Sequence, residues 1–287
     1  MIPPGLNWLR GNKTGQTWLD ELPAIVETCA KQWSLRIGKP YEGSSTSLVL
    51  PAIQGGTDTV VLKIQFPHWE STHEGAALAC WNGSGAVRLL EHDDDHHALL
   101  IESCSPGGHL AKQEPKYALG VMINLLPQLW KRASGPFESL ATQVDRWLNE
   151  LPQNYGRARK PFESILLDEA IEVLKSLAVS QGEQVLIHQD LHGNNVLNAE
   201  RETWLVIDPK PLIGEREFAL APIIRSREFG HGKEHVIGRL DRLSYELGLN
   251  RERARGWALG QTIAWAFDND HIQPHHLETA RWLFEAP

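Results

Sequence analysis

Ile187-His188-Gln189-Asp190-Leu191-His192-Gly193-Asn194-Asn195-Val196-Leu197, followed by Leu205-Val206-Ile207-Asp208-Pro209, is the stretch on which the reading of this chain turns. It spells H-x-D-L-x-x-x-N and then an Asp that closes an apolar run. The spacing suits phosphoryl transfer: Asp190 orients an attacking hydroxyl, while Asn195 turns back toward a magnesium ion that Asp208 also holds. Val196-Leu197-Asn198 and Thr203-Trp204-Leu205-Val206-Ile207 read as two strands around the polar turn Ala199-Glu200-Arg201-Glu202. A short hairpin of this kind returns Asp208 to the neighbourhood of Asn195. His188 is expected to brace the catalytic loop rather than to ionise.

The chain upstream should then supply the nucleotide-binding half. Val60-Val61-Leu62-Lys63-Ile64 is an apolar strand interrupted by one Lys, and a buried ammonium requires an anionic partner. Glu74, at the start of the following helix-like stretch His73 to Trp81, is the candidate, and the pair would hold the α- and β-phosphates of ATP. Tyr41-Glu42-Gly43-Ser44-Ser45-Thr46-Ser47 lies where a phosphate-covering loop belongs. With a single Gly it is not G-x-G-x-x-G, but Ser44 and Ser45 are small enough to let backbone N–H groups approach phosphate. Glu102-Ser103-Cys104 is the expected hinge, where adenine would meet backbone groups.

The coarse pattern is a helix starting at Asp20-Glu21-Leu22-Pro23, with Leu22, Val26, Cys29 and Trp33 on one face. Strand-like runs follow at 35–41, 47–53 and 59–66, with turns at Gly43-Ser44-Ser45 and Gln54-Gly55-Gly56, and then at 86–90 and 98–101. From Ser105-Pro106-Gly107-Gly108 onward the pattern is mainly helical. The run His92-Asp93-Asp94-Asp95-His96-His97 falls between two strands and reads as a solvated turn rather than a metal site. The expected fold is therefore α+β and bilobal: a five-stranded antiparallel N-terminal lobe over residues 1–104 and a mainly helical lobe over 105–287.

Composition narrows the class. The chain has 287 residues, 41% hydrophobic and 22% charged, which suits an ordinary globular protein. Lys plus Arg number 28 against 36 Asp plus Glu, a formal charge of −8, which disfavours nucleic-acid binding and suits a cationic substrate. No apolar run reaches the ~18 residues that a membrane helix needs. The opening Met1-Ile2-Pro3-Pro4-Gly5 lacks the blocks of a signal peptide. Three scattered cysteines, Cys29, Cys80 and Cys104, argue for a reduced, cytoplasmic setting. A monomer with no membrane partner is expected.

Together these features resemble the aminoglycoside phosphotransferase superfamily, and within it the streptomycin 6-phosphotransferase and hydroxyurea phosphotransferase group. The resemblance covers most of the chain and rests on Trp81-Asn82-Gly83-Ser84-Gly85-Ala86-Val87-Arg88-Leu89-Leu90, the catalytic segment, Trp204-Leu205-Val206-Ile207-Asp208-Pro209-Lys210-Pro211, and residues 260–270. It implies a protein-kinase-like fold, ATP with Mg2+, Asp190 as base, Asn195 and Asp208 as metal ligands, and Lys63 on the nucleotide phosphates. The acceptor it implies is a small cationic hydroxylated molecule, an aminoglycoside such as streptomycin first. Another hydroxylated metabolite or antibiotic is the alternative, and a nucleotide-binding pseudokinase module is the non-enzyme alternative.

Departures also carry information. Gln189 stands where protein kinases place an Arg that reads a phosphorylated activation loop, Pro209-Lys210 replace Phe-Gly, and no A-P-E segment follows. A regulated protein kinase is thereby disfavoured. Ala219 replaces an Asp that braces the catalytic loop in many aminoglycoside phosphotransferases. For the acceptor, Asn250 should cap a helix reaching about Phe267; Trp265 and Asp268 are candidates for one wall, an aromatic face beside a carboxylate, and the alternative is that Trp257, Ile263 and Trp265 are core and Asp268-Asn269-Asp270 a solvated turn. The neighbouring Asp270 is a second acidic candidate.

Overall fold

A computed structural model describes residues 2–69, 71–268 and 271–286. The chain divides into two compact units, Met1–Gly107 with Asn198–Ile207, and Gly108–Leu197 with Asp208–Pro287.

The first unit is built on one antiparallel sheet. A 3-10 helix at Pro4–Gly11 leads into α1 (Lys13–Gln32), then β1 (Leu35–Ile37), β2 (Ser47–Gln54), β3 (Asp58–Gln65), α2 (Glu74–Trp81), β4 (Leu89–Asp93) and β5 (Ala98–Glu102). The strand order is β1-β2-β3-β5-β4. β2 and β3 are joined through Gly55 and Gly56, whose φ angles of 58° and 95° are the left-handed values a tight hairpin requires. One face of the sheet buries Leu48, Leu50, Leu62, Ile64 and Leu100 against Trp18, Leu19, Leu22 and Cys29 of α1. Each such Leu or Ile withdraws about 1.5–3 kcal/mol worth of apolar surface from water.

Three boundaries differ from the sequence expectation. α1 begins at Lys13 rather than Asp20, because Asn12 caps it by accepting from Gly15 N at 2.7 Å, leaving Pro23 inside the helix. β1 stops at Ile37, although Gly38 N and Tyr41 N still donate to Pro51 O and Val49 O of β2; Pro40 between them has no N–H to continue the ladder. β4 starts at Leu89, because residues 85–87 turn instead to Val206: Val206 N donates to Gly85 O at 2.9 Å and Val87 N to Val206 O at 3.0 Å. The acidic-histidine run is divided between the end of β4 and a turn, where Asp93 accepts from the backbone and ring of His96.

The expected hairpin is present, with β7 at Val196–Asn198 and β8 at Trp204–Val206, its turn closed by Ala199 N on Thr203 O and Asn198 Nδ2 on the same carbonyl. Arg201 at its tip donates to both Glu102 oxygens (2.8 and 3.0 Å), to Gly83 O at 2.9 Å and to Ala86 O at 3.0 Å. Gly83 has φ of 80° and packs against the Arg88 side chain.

The second unit is helical around a short ladder. It contains α3 (Pro115–Leu129), α4 (Leu140–Arg157), α5 (Ser164–Val179), β6 (Gln184–His188), β9 (Pro211–Glu215), α6 (Ala221–Arg225), α7 (Lys233–Leu247), α8 (Arg251–Ala264), the pair β10 (Phe267–Asp268) and β11 (His271–Ile272), and α9 (Pro274–Glu285). Asn250 caps α8 as expected, accepting from Arg253 N. Gly260 lets α5 approach α8 closely, since a Cβ there would lie 2.5 Å from Leu174 Cδ2. Glu215, fully buried at the end of β9, accepts from Arg253 Nη2 at 2.8 Å, Gly182 N at 2.7 Å and Trp257 Nε1. Among the described residues, no helix is long and apolar enough to cross a membrane.

Candidate active site

In the first unit, Lys63 lies on β3 with 5% exposure, on the sheet face opposite Leu62 and Ile64, and Glu74 at the start of α2 is 1% exposed. Lys63 Nζ lies 2.6 Å from Glu74 Oε2 and 2.8 Å from Oε1, and Gln65 Nε2 donates to Oε2 at 2.6 Å. A buried ammonium and carboxylate satisfied in this way hold each other at a fixed position. In the loop after β1, Gly43 has φ of 101°. Ser44 Oγ accepts from Ser47 N at 3.2 Å, and Ser45 O accepts from Trp8 Nε1 at 2.7 Å. The Glu102 carboxylate is committed to Arg201, as described, and to Arg88 N. Burial pushes the Cys104 thiol up to about 12, so at neutral pH it is a thiol and not a thiolate.

In the second unit, the β6–β9 ladder sets the catalytic segment. His188 pairs with Pro211, and Gln189 N donates to Lys210 O at 3.0 Å, so the residues after His188 and before Pro211 leave the ladder side by side. Asp190 N donates to His188 Nδ1 at 3.2 Å, and Asn195 Nδ2 donates to Asp190 O at 3.0 Å. Gly193 is needed for close packing, because a Cβ would stand 2.8 Å from Ala111 N. His109 Nδ1 meets Asn194 O at 2.9 Å.

The bracing that an Asp at position 219 would give comes from elsewhere. Ala219 is buried in a 3-10 helix, and Gln261 of α8 donates through Nε2 to Gln189 O at 3.2 Å. Glu228 accepts from Gly193 N and, at 2.8 Å, from Asn194 Nδ2. The segment carrying Glu228 is itself fixed by Arg239, whose guanidinium donates to Ile224 O, Phe229 O and Gly230 O at 2.7 to 3.1 Å.

Asp190 opens into a cavity of about 380 Å³ that His192, Lys210, Arg225, Arg227, Trp265, His275 and His276 also line. Burial pushes the Asp190 carboxyl up, but the charges of Lys210, His192, Arg225 and His188 outweigh it and hold the group below the usual carboxylate range. Burial likewise disfavours protonated His192, yet its hydrogen bond to Glu228 and the Asp190 charge raise its pKa above the ordinary value. His276 is driven down to about 3 by burial and by Arg225, and its Nδ1 lies 2.9 Å from Trp265 O. A neutral His276 donating there presents Nε2 as an acceptor.

Trp265, the C-cap of α8, lines this cavity. Asp268 does not: it is exposed on β10, and the charged groups beside Trp265 are cations, Lys210 Nζ at 5.0 Å and Arg225 Cζ at 4.7 Å from the ring centroid. The physical reason is that the chain leaves α8 at Trp265 into the β10–β11 hairpin, which carries Asp268 out into solvent. Asn269 and Asp270 lie outside the described residues. Sequence reasoning missed Lys210, Arg225 and Glu228. Only Lys210 had a local signal, as the cation that directly follows Asp208-Pro209.

A family model described as aminoglycoside/hydroxyurea antibiotic resistance kinase matches residues 32–271. The chain is 36% identical over 257 residues to a hydroxyurea phosphotransferase of Kitasatospora aureofaciens, covering 88% of this chain and 74% of that one. It is 33% identical over 272 residues to a streptomycin 6-kinase of Streptomyces griseus, covering 91% and 88%. Among solved structures, a choline/ethanolamine kinase family protein from Mesorhizobium loti superposes with a TM-score of 0.64 at 16% identity, covering 92% and 96%. A thermostable mutant of aminoglycoside phosphotransferase APH(4)-Ia, in ternary complex with AMP-PNP and hygromycin B, gives 0.60 at 13% identity, covering 90% and 94%. At these identities the superpositions speak to the fold, which is the kinase-like α+β fold of small-molecule kinases.

Proposed function

The chain belongs to the aminoglycoside/hydroxyurea antibiotic resistance kinase family, and on that premise we propose that it transfers the γ-phosphate of ATP to a hydroxyl of a small antibiotic, with an aminoglycoside of the streptomycin type as the first acceptor class. It is a small-molecule kinase by family and fold. The observation that carries the reading is Asp190: a partly buried carboxylate that lines a cavity and is held ionised by the cations around it.

The attacking hydroxyl donates its hydrogen bond to Asp190. Its oxygen forms a bond to Pγ as the bond from Pγ to the β–γ bridging oxygen breaks, and the electron pair leaves with ADP. The hydroxyl proton passes to the Asp190 carboxylate and on to water. Lys63, positioned by Glu74, binds the α- and β-phosphates. Ser44 and Ser45 cover the phosphates through their backbone, and adenine rests on the backbone of Glu102-Ser103-Cys104. Under this reading the nucleotide lobe runs over 1–104 and the catalytic lobe over 105–287.

The residues present fit magnesium. Asn195 Nδ2 is committed to Asp190 O, which leaves Oδ1 as the atom offered to a cation, and the Asp208 carboxylate is a second hard oxygen donor. Asn195 and Asp208 would hold the ion, which supplies neutralisation of phosphate charge when bound.

A second acceptor reading is a neutral hydroxylated molecule of the hydroxyurea type. It is favoured by the cavity itself, where among the described residues Lys210, Arg225 and Arg227 accompany a single lining carboxylate, Asp190. Work as a cytoplasmic monomer completes the reading. An ATP-coupled assay with streptomycin and hydroxyurea, with the phosphorylated product identified by mass, decides between the acceptors. Product from neither, with Mg-ATP bound, would overturn the antibiotic assignment and leave the kinase assignment in place.

A further inference from the structure

Arg225 ends α6 with 7% exposure, yet it lines the cavity that holds Asp190. Of its five N–H donors, Nη1 alone finds a hydrogen-bond acceptor among the described residues, Gln261 Oε1 at 3.1 Å. A buried guanidinium that lines a cavity with most of its donors not engaged by the described residues is a built receptor for an oxyanion. The position is rigid. Ile224 O, one residue earlier, is held by Arg239, the guanidinium lies over the Trp265 ring, and Gln261 ties it to the Gln189 carbonyl beside Asp190.

Among the described residues no carboxylate lies within ion-pair distance of Arg225, and Asp190 acts on it only at longer range. Asp190 is already 3.2 Å from Lys210 Nζ, and Glu228 is engaged with Gly193 N, Asn194 and His192. Burial lowers the Arg225 pKa to about 10 while Asp190 opposes the shift, so the group remains a cation at neutral pH.

Resting on the kinase reading above, we propose that Arg225 is a catalytic residue that donates its free N–H groups to oxygens of the phosphoryl group in transit, acting on the transfer step and not on acceptor recognition. The attacking oxygen lies against Asp190, so the phosphorus it attacks must pass within reach of the same cavity wall. Negative charge on the equatorial oxygens is what a pre-oriented guanidinium stabilises at that moment. No proton leaves Arg225; the hydroxyl proton goes to Asp190.

Calorimetry on the full chain tests this with three probes: Mg-ADP, Mg-ATP, and Mg-ADP with aluminium fluoride as a surrogate for the phosphoryl group in flight. The wild type should bind the aluminium fluoride complex more tightly than Mg-ADP alone. Arg225→Gln should remove most of that gain, leave Mg-ADP affinity within about twofold, and lower kcat by roughly 10²–10³, the loss typical of one transition-state donor, with the acceptor KM unchanged. Arg225→Lys, which keeps the charge without the planar fork, should recover part of both and serves if the Gln variant does not fold. Equal loss of Mg-ADP binding, or a raised acceptor KM with kcat intact, overturns the assignment in favour of a structural or acceptor-binding role. A wild type that binds no nucleotide overturns the kinase reading itself. An active wild type with an unaltered Arg225→Gln variant overturns only the role of Arg225.

Discussion

Lys210 Nζ lies 3.2 Å from Asp190 Oδ2 because the β6–β9 ladder releases the two residues next to one another. The same ammonium lies over the Trp265 ring, so it has one position from which to act on the carboxylate. Lys210 is therefore the nearest of the cations that hold Asp190 ionised.

Replacing that cation should be visible in the pH profile. With Lys210→Gln, burial is opposed by less positive charge, the protonated form of Asp190 is less disfavoured, and its pKa rises. The acid limb of kcat should move to higher pH, while the nucleotide-dependent melting shift persists. An acid limb that stays in place would separate Lys210 from the control of Asp190.

Asp190→Asn keeps the shape of the loop, since its contacts to His188 and Asn195 run through the Asp190 backbone. Turnover should fall by at least about 10², the scale of general-base assistance, and stabilisation by Mg-ATP in thermal melting should survive. Undiminished phosphorylation by the variant would remove Asp190 from the mechanism.

Lys63→Met should weaken ATP by roughly 10- to 100-fold, the range expected for one charge-assisted bond, without shifting the acceptor KM. It also leaves the Glu74 carboxylate buried against the neutral Gln65 amide, so the melting temperature should fall. The pair Lys63→Met, Glu74→Gln should regain stability but not ATP affinity. Melting curves and initial rates across ATP concentration separate the two effects.

Glu215 organises the second unit away from the cavity. Glu215→Ala removes the acceptor of Gly182 N and Trp257 Nε1 and leaves the Arg253 guanidinium with Ser180 but without its carboxylate. The expected loss is about 3–5 kcal/mol, the cost of breaking a buried charge cluster. Urea unfolding checks it, and a loss under about 1 kcal/mol would show that water replaces the carboxylate.

The elements whose signals are local were legible in the sequence. Lys63 within an apolar strand, the Gly55-Gly56 turn, the hairpin length between Asn195 and Asp208 and the Asn250 cap all appear where periodicity and turn chemistry put them. What failed depended on distant partners. Residues 86 and 87 looked like the start of a strand because they are apolar and β-prone, but Val206 captures them. Asp268 looked like a pocket acid because it follows Trp265 closely, and a two-residue strand carries it into solvent. Arg225 and Glu228 carried no motif. They reach the catalytic segment only because Arg239, on a different helix, fixes the loop between them.

The hairpin at 198–207 has a consequence for the order in which this chain matures on the ribosome. The first unit contains residues 1–107, yet Arg201 and Val206 complete the backbone bonding of Gly83, Gly85, Ala86 and Val87. Until residue 207 has been synthesised, those carbonyls and that amide have only water for partners. The amino-terminal sheet therefore cannot finish folding ahead of the carboxy-terminal half, as domains made in sequence usually do. The ninety residues of the second unit from 108 to 197 must emerge first. A fragment ending at residue 107 should be a poor folder, and supplying 198–207 as a separate peptide is the natural way to rescue it.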